Sequence, residues 1–461
     1  MPSTLDLKIL DAMACASPAT AGGLIGIQAV QLRGGRVIHE LNAQNSFVPA
    51  SNMKLFSTAL ALLKLGPAYT FTTRIAADRE PNEQGVLSGD VAFVGGGDPT
   101  LGSRKFAQVF GRGAAPDVVG EFADAIVAKG VRHVTGSVVG DETLYPHDPY
   151  PVGWTIDDAT ADYGAAVSAL TIHDNVQVLT VSPWAVRFTP PLEYFTVFNQ
   201  IRSGAESSVR VERMNDARQL ILTGTLPADR TSVELVAVDK PALYAATLLH
   251  EALVRRGVRI DGAPRIRTRR IGEPLPAPYK VMLAERSSPP LVEILRVVDK
   301  VSQNLHAELV LREAARVSTG DGSRQAGLQE MYSLLWKVGA ASGCCYFQDA
   351  SGLSRQTLVT PQAATRLLAY MYRSEHREAW MSLLPIGGVD GSLSKRFEGE
   401  EENAKRILAK TGSLAHVTAL SGYIFSKTYG ELAFSVLFNN YNGESVDARN
   451  VLDKIALAFA E

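Results

Sequence analysis

The sequence is poor in three features: long hydrophobic runs, net charge and cysteine. No apolar run reaches the roughly 18 residues that a membrane-spanning helix requires, so we expect no transmembrane segment. The formal net charge is only −2 at pH 7 in a chain of 461 residues. A balance so close to neutral gives no indication of a nucleic-acid partner or of an anionic membrane surface.

Cysteine is scarce, with three residues in the whole chain. Cys344 and Cys345 are adjacent, which is poor geometry for a mutual disulfide, and Cys15 lies far away in sequence. No cysteine pair or cysteine–histidine cluster has the spacing of a zinc site. We therefore expect small buried or unreactive thiols, no bound metal and no organic cofactor.

The N-terminal residues, 1–17, do not have the pattern of a secretory signal. They carry charges at Asp6, Lys8 and Asp11, and they lack a basic start followed by an uninterrupted apolar stretch. Two interpretations are open at this point: a cytoplasmic protein, or a mature chain from which a signal has been removed.

The length predicts two or three domains, because one hydrophobic core rarely serves so many residues. Patterns at both chain ends predict a sheet with helices on both sides, which requires the two ends of the chain to come together. Between them, from about Thr73 to Ser287, short β-rich pieces alternate with glycine and proline. We predict one domain from residues 1–72 and 288–461, and an insertion, residues 73–287, made of two smaller β-rich units.

The first chemical motif is Ser51-x-x-Lys54, at the start of a predicted helix over 52–65. Residues three apart share a helix face, so the Lys54 amine can reach the Ser51 hydroxyl. A serine hydroxyl needs a base, and a lysine whose pKa is lowered by burial or by a neighbouring cation can act as one. The alternative is an ordinary N-cap serine beside a surface lysine. A second match, at residues 392–395, follows a glycine-rich turn and is interpreted as fortuitous.

The second motif is Ser302-x-Asn304, the only Ser-x-Asn in the chain. Its hydroxyl can relay a proton, and its amide can hold both a lysine and a substrate carbonyl. The alternative is a polar turn between two helices, since the sequence is helical in character on both sides.

The third motif, Lys410-Thr411-Gly412-Ser413, contains the only Lys-Thr-Gly in the chain and is predicted to close a strand and open a loop. Lys410 can keep the first lysine neutral or attract a substrate carboxylate, to which the Thr411 hydroxyl can hydrogen-bond. Gly412 leaves room for a substrate along the strand edge. The N–H of Ser413 can form an oxyanion hole with that of the first serine. The alternative is a strand end with an exposed lysine.

In this order the three motifs resemble those of penicillin-recognising enzymes. The 251-residue interval from Ser51 to Ser302 resembles one branch, the class C, low-molecular-mass, type-4 penicillin-binding proteins, in which a large insertion fills this gap. The resemblance covers nearly the whole chain and implies an antiparallel sheet flanked by helices, with a large β-rich insertion. Other stretches similar to that family are residues 95–101, 153–175, 349–355 and 384–391.

The resemblance also implies a serine-type D-Ala-D-Ala carboxypeptidase or endopeptidase that acts on peptidoglycan stem peptides. Ser51 would be the acylated nucleophile and Lys54 its general base. Ser302 and Asn304 would complete the proton relay and bind the substrate. β-Lactams would acylate the same serine, because they mimic the substrate.

For the substrate, the resemblance implies that Lys410 and Thr411 receive its terminal carboxylate and that Ser413 donates to the oxyanion. A side-chain pocket would use Asp158 for the distal ammonium of a diaminopimelate-type residue, with Tyr163 packing on its stem. Arg355 would meet that residue's carboxylate.

For three of these residues ordinary structural roles are open as well. Asp158 can cap a turn, Tyr163 can belong to a core, and Arg355 can pair with Asp349. Ala415 stands where some members of the family have a polar residue, which removes one possible hydrogen bond to the substrate.

Two other functions remain as alternatives: a β-lactamase, and a non-catalytic protein of the same fold that binds cell wall. No pattern indicates a zinc carboxypeptidase or a Ser-His-Asp triad. Because the substrate lies outside the inner membrane, the expected location is the periplasm, with the signal already removed. The sequence does not indicate an oligomeric state.

Overall fold

The computed structural model describes residues 3–14, 22–214 and 218–461. The chain forms two compact units, which we call the first and the second unit. The first consists of Met1–Tyr69, Pro151–Gly153 and Pro290–Glu461, and the second of Thr70–Tyr150 and Trp154–Pro289. The units therefore divide within three residues of the two expected boundaries, and a three-residue segment in the middle of the chain belongs to the first unit.

Helices of the first unit lie at both ends of the chain, and those of the second lie between them. The α-helices are α1 (Thr4–Ala14), α2 (Lys54–Leu65), α3 (Arg104–Val109), α4 (Val118–Ala128), α5 (Pro241–Arg255), α6 (Leu291–Lys300), α7 (Asn304–Thr319), α8 (Arg324–Lys337), α9 (Pro361–Arg373), α10 (Arg377–Leu383), α11 (Glu401–Ala404) and α12 (Ser445–Ala460).

Strands follow the same division. They are β1 (Leu24–Gln31), β2 (Val37–Leu41), β3 (Thr72–Ala77), β4 (Val86–Leu87), β5 (Val91–Val94), β6 (His133–Val134), β7 (Val138–Asp141), β8 (Val176–Val181), β9 (Val186–Thr189), β10 (Thr196–Asn199), β11 (Arg202–Ser203), β12 (Ser208–Arg213), β13 (Gln219–Leu226), β14 (Ser232–Ala237), β15 (Arg259–Ile260), β16 (Arg265–Arg267), β17 (Val281–Ser287), β18 (Ile407–Leu414), β19 (Val417–Ser426) and β20 (Gly430–Asn439).

The first unit is built on a five-stranded antiparallel sheet in the order β18-β19-β20-β1-β2. Strand β1, from the N-terminal end, pairs with β20, from the C-terminal end, so the two chain ends do come together. Alternate residues of β1 face opposite sides. Ile27 and Ala29 belong to a core that includes α1 and α12, whereas Gln28 accepts a hydrogen bond from Thr365 of α9. The prediction of an antiparallel sheet flanked by helices is confirmed.

The third motif lies within a strand and does not end one, so that detail of the sequence prediction was wrong. β18 pairs with β19 residue by residue as far as Leu414 opposite Val417. Gly412 and Ser413 suggested a loop, because glycine and serine are common in turns. Pairing along a partner strand overrides that local preference. β18 is an edge strand of this sheet, and residues 385–387 hydrogen-bond to the outer side of its first half, at Ile407 and Ala409.

The second unit has its own core and several small sheets. Its largest sheet has the order β16-β7-β5-β3-β17, and two others are β14-β8-β9 and the group of β10 to β13. Helices α4 and α5 contribute to the same core as these strands. Helix α4 begins after Asp117, whose carboxylate accepts a hydrogen bond from the Gly120 N–H at 2.9 Å. Of the helices in the described residues, none combines the length and the hydropathy that crossing a membrane would need.

Candidate active site

Ser51 lies in a short 3₁₀ turn, Ala50–Met53, that leads directly into α2. The N-cap of this turn is Pro49, and no side chain caps it, so the interpretation of Ser51 as an N-cap serine is wrong. Ala50 has a φ of +45°, a left-handed conformation that costs a non-glycine residue on the order of 1–2 kcal/mol. The backbone is therefore held under strain immediately before the serine.

Lys54 is fully buried and lies among three oxygen atoms. Its Nζ is 2.8 Å from Ser51 Oγ, 2.6 Å from Asn304 Oδ1 and 2.7 Å from the Ser351 carbonyl oxygen. Burial, and then the charge of Lys410, hold the pKa of Lys54 well below its ordinary value. Asp349, Asp299 and Glu308 oppose this shift but do not reverse it. The two causes that the sequence suggested for a neutral lysine are therefore both present.

Lys410 and Ser302 form the second half of the cluster. Lys410 Nζ donates to Ser302 Oγ and to the Thr411 carbonyl, each at 2.9 Å. Burial lowers the pKa of Lys410 to about 8, and the charge of Asp299 opposes that shift. Ser302 stands in the break between α6 and α7 with a φ of +61°. The second motif is thus a strained turn between two helices and also the contact point of Lys410.

Asp299 is a buried carboxyl group one helical turn before Ser302, and sequence reasoning did not single it out. Its side chain is 0% exposed. Burial raises the pKa of Asp299 to about 7, while the charges of Lys410 and Lys54 work against that rise. The cluster therefore contains a carboxyl group that changes charge near neutral pH.

The Ser351 carbonyl reaches Lys54 because a buried glutamate holds its loop. Glu308 Oε1 accepts hydrogen bonds from the Ala350 N–H at 2.8 Å and from the Ser351 N–H at 3.0 Å. Gly352 follows with a φ of +78°, and a Cβ on it would lie 1.8 Å from the Ala50 carbonyl oxygen. Residues 349–355 matched the family in sequence, but no side-chain pattern indicated that a backbone carbonyl would contact the lysine.

The third motif lies directly against the serine segment. Asn52 Nδ2 donates to the Lys410 carbonyl at 3.0 Å. A Cβ on Gly412 would lie 2.7 Å from the Pro49 carbonyl oxygen and 3.1 Å from the Ser51 nitrogen. Gly412 therefore allows β18 to approach the serine, a reason different from the substrate clearance that the sequence suggested. Ser413 follows on β18 and is exposed.

Thr411 makes a contact that the sequence did not predict. Its hydroxyl donates to Ser392 Oγ at 2.7 Å. The turn that carries Ser392 is fixed by Asp390, whose carboxylate accepts from Lys300 Nζ at 2.6 Å and from the Ile386 N–H at 2.9 Å. Ser392 is half of the Ser-x-x-Lys match interpreted as fortuitous. The signal that could have identified Ser392 is its place beside residues 384–391, which matched the family.

Arg355 contacts the backbone two residues beyond the third motif. Its Nη1 and Nη2 atoms both donate to the Ala415 carbonyl oxygen at 3.1 Å. The guanidinium is thus hydrogen-bonded in this structure to backbone just beyond β18.

The remaining two predicted site residues belong to the second unit. Asp158 Oδ2 accepts from the Thr155 N–H at 2.9 Å, so it does cap a turn. Tyr163 is 49% exposed, which excludes a core position. Burial of part of the ring and the nearby Asp158 raise the pKa of Tyr163. A role for either residue toward a substrate stays a prediction.

The cysteines described are both unoxidised. Cys345 is buried and Cys344 is partly buried, and their sulfur atoms lie 3.6 Å apart. Cys15 lies outside the described residues. Histidine, cysteine and carboxylate side chains form no potential metal-binding group of three or more within the described part of the chain.

Comparison with known proteins identifies the family. A family model described as D-Ala-D-Ala carboxypeptidase 3 (S13) matches residues 7–461. The chain belongs to that family. A D-alanyl-D-alanine carboxypeptidase of Actinomadura sp. (strain R39) is 32% identical over 96% of this chain and 82% of its own length. The D-alanyl-D-alanine carboxypeptidase DacB of Haemophilus influenzae is 24% identical over 93% of this chain and 88% of its own length.

The solved structures agree on the fold. Penicillin-binding protein 4 (dacB) of Haemophilus influenzae matches with a TM-score of 0.82 at 24% identity, covering 97% of each chain. A structure of the same protein in complex with a β-lactam matches with a TM-score of 0.75 at 22% identity, covering 98% of each chain. The resemblance to type-4 penicillin-binding proteins is confirmed, and this S13 family member is a serine-type D-Ala-D-Ala carboxypeptidase, a hydrolase.

Proposed function

We propose that the enzyme cleaves the D-Ala-D-Ala end of peptidoglycan stem peptides through an acyl-enzyme on Ser51. The observation that carries this proposal is the environment of Lys54. The Ser351 carbonyl and Asn304 Oδ1 can only accept hydrogen bonds, so they take the two N–H groups of a neutral amine. The lone pair of Lys54 is then left for the Ser51 hydroxyl, 2.8 Å away.

In the acylation step, Ser51 Oγ attacks the carbonyl carbon of the penultimate D-Ala, and Lys54 takes the hydroxyl proton. The N–H groups of Ser51 and Ser413 stabilise the oxyanion. The C–N bond then breaks, and the proton reaches the leaving amine through a relay completed by Ser302 and Asn304. Water hydrolyses the ester, which releases the shortened peptide and restores the Ser51 hydroxyl.

The terminal carboxylate of the substrate is received by Lys410 and by hydroxyl groups. Thr411 donates to Ser392 in this structure, and we propose that both hydroxyls turn to the carboxylate when substrate binds. Gly412 keeps β18 close enough to the nucleophile for this end of the substrate to lie along the strand edge.

For the third residue of the stem peptide, the proposal keeps Asp158 for a distal ammonium, Tyr163 for the stem and Arg355 for a carboxylate. An arginine and a lone carboxylate suit a zwitterionic side-chain end. The Arg355 guanidinium must then exchange at least part of its contact with the Ala415 carbonyl for the substrate.

The proposal extends to location, partners and domains. The substrate lies outside the cytoplasmic membrane, so the enzyme acts in the periplasm, where β-lactams acylate Ser51. Residues 1–72 and 288–461 form the catalytic domain, and residues 73–287 form the inserted region.

Fluorescent penicillin tests the nucleophile. We expect the wild type to take a long-lived label and Ser51→Ala to take none, while Ser394→Ala, an exposed serine in the same unit, labels normally. Rapid loss of the label would indicate a β-lactamase. A folded wild type that takes no label would indicate a non-catalytic protein. A digest of isolated peptidoglycan, with the products identified by mass, then measures carboxypeptidase against endopeptidase action.

A further inference from the structure

A cavity of about 910 Å³ lies within the second unit. Its walls come from α3, the start of α4, the C-terminal half of α5, β8 and the segment of residues 113–117. This volume is in the range of small-molecule sites, about 300–1,000 Å³. None of the residues that the proposed reaction uses lines the cavity, so it is a separate feature of the enzyme.

The interior of the cavity is largely apolar. It is lined by Val119 of α4, by Val176 and Val178 of β8, and by Leu248 and Ala252 of α5. These aliphatic surfaces can bind a hydrocarbon chain by removing it from water, at about 0.8 kcal/mol for each buried methylene. His173 also lines the cavity. Because burial lowers the pKa of His173 to about 4, its ring is uncharged at neutral pH and is compatible with apolar walls.

Most of the charged side chains that line the cavity are arginines: Arg104, Arg255 and Arg256. Arg256 is bonded to Asp124 at 2.6 Å, and the carboxylate of Asp117, which also lines the cavity, is used in capping α4. Among the described residues, neither the Arg104 nor the Arg255 guanidinium makes a hydrogen bond or an ion pair, although the Arg104 backbone N–H donates to the Asp174 carboxylate at 3.1 Å. Two guanidinium groups are therefore available beside the apolar walls of the cavity.

We propose that this cavity binds an amphiphilic anion: one hydrocarbon chain that ends in a carboxylate or a phosphate. The chain lies against Val178 and Leu248, and the anionic head is bound by Arg104 and Arg255. A guanidinium offers paired donors to either kind of head group. A free fatty acid and a lysophospholipid share this chemistry, and competition between them identifies the source.

The test uses the full-length enzyme and a fluorescent fatty acid, 11-(dansylamino)undecanoic acid. We expect saturable binding with increased dansyl fluorescence, and displacement by palmitate, by a lysophosphatidylglycerol, or by both. Arg104→Glu combined with Arg255→Glu should weaken binding on the order of tenfold or more, because each reversal replaces attraction by repulsion. The matched control is Arg202→Glu, the same charge change at an exposed arginine of the second unit that does not line the cavity.

Displacement by palmitate alone assigns the carboxylate source, and displacement by the lysophospholipid alone assigns the phosphate source; either supports the proposal. A thermal melt of each variant shows that it is folded. The proposal is overturned if the probe does not saturate. It is equally overturned if dodecanol displaces the probe as well as the anions do, or if the arginine variants bind like the control. Labelling by penicillin plays no part in this readout, so its outcome is independent of the proposed reaction.

Discussion

Asp299→Asn is expected to move the alkaline limb of the pH profile of kcat/KM to lower pH. Asp299 and Lys410 are both fully buried, so salt screens their interaction little. The charge of Asp299 opposes the depression of the pKa of Lys410, which is about 8. Without that charge Lys410 loses its proton at a lower pH. Since Lys410 must be charged to receive the substrate carboxylate, kcat/KM should begin to fall at a lower pH than in the wild type.

The size of the shift follows from the separation of the two groups. Asp299 precedes Ser302 by three residues, and Lys410 Nζ is 2.9 Å from Ser302 Oγ. Charges about 6–12 Å apart interact by roughly 1.4–2.8 kcal/mol at an effective dielectric constant of about 20. That energy corresponds to about one to two pKa units. The acid limb should stay where it is, because the pKa of Asp299 is about 7 and the wild-type carboxyl is already neutral below that pH.

The assay is D-Ala release from a stem-peptide analogue, measured as kcat/KM from pH 5 to pH 10. Asp11→Asn, the same change at an exposed position of α1, is the control and should leave both limbs in place. Stability gives a second readout. Folding raises the pKa of Asp299 from the ordinary 3.8 of an aspartate to about 7, so the wild type loses stability as pH rises from about 4 to 7. The melting temperature of Asp299→Asn relative to wild type should rise over that interval. An alkaline limb that does not move in the folded variant would refute the coupling of Asp299 to Lys410.

Three further substitutions test other parts of the site. Ser392→Ala should raise KM about three- to tenfold with little change in kcat, because one hydroxyl contact to the carboxylate is lost; Ser394→Ala is the control, and equal KM values would exclude Ser392 from substrate binding. Glu308→Gln removes the carboxylate that lies 3.2 Å from the buried Arg312 guanidinium, and it should lower the free energy of unfolding in urea by about 3 kcal/mol; an unchanged midpoint would contradict this. Gly352→Ala should slow penicillin acylation by about 100-fold or more, because the loop must move away from the serine segment; labelling at the wild-type rate would show that the close approach is not needed.

Much of the architecture could be predicted from the sequence, because strands and helices have characteristic periodic patterns of apolar residues. Strand-like residues on both sides of Gly34-Gly35 predict a hairpin, and β1 and β2 do pair. The amphipathic pattern of residues 445–460 predicts a closing helix, and α12 begins and ends at those residues. The joining of both chain ends in one sheet followed from where the strand-like and helical segments occur. The residues on both sides of Ser302 are helical in character, and the structure has two helices there, α6 and α7, with Ser302 between them at a φ of +61°.

The sequence could predict only those parts of the site in which a characteristic side chain supplies the functional group. Ser51, Lys54, Ser302 and Lys410 belong to short patterns whose order is informative. Ser351 was not predicted, since its contribution is a carbonyl oxygen and every residue has one. Asp299 was not predicted either, because a carboxyl group in a helix is an ordinary surface feature unless the fold buries it.

The two glycines beside the serine segment show why the backbone contacts around Ser51 could be found only in the structure. Gly352 has room for no Cβ because the Ala50 carbonyl is there, and Gly412 has none because the Pro49 carbonyl and the Ser51 nitrogen are there. Two segments that lie more than 300 residues further along the chain are thus in close contact with the same short turn. A left-handed alanine is unfavourable in isolation, so these contacts and the hydrogen bond from Asn52 to the Lys410 carbonyl must hold Ala50 in place. The strain before Ser51 is a property of three segments together, which no single stretch of sequence contains.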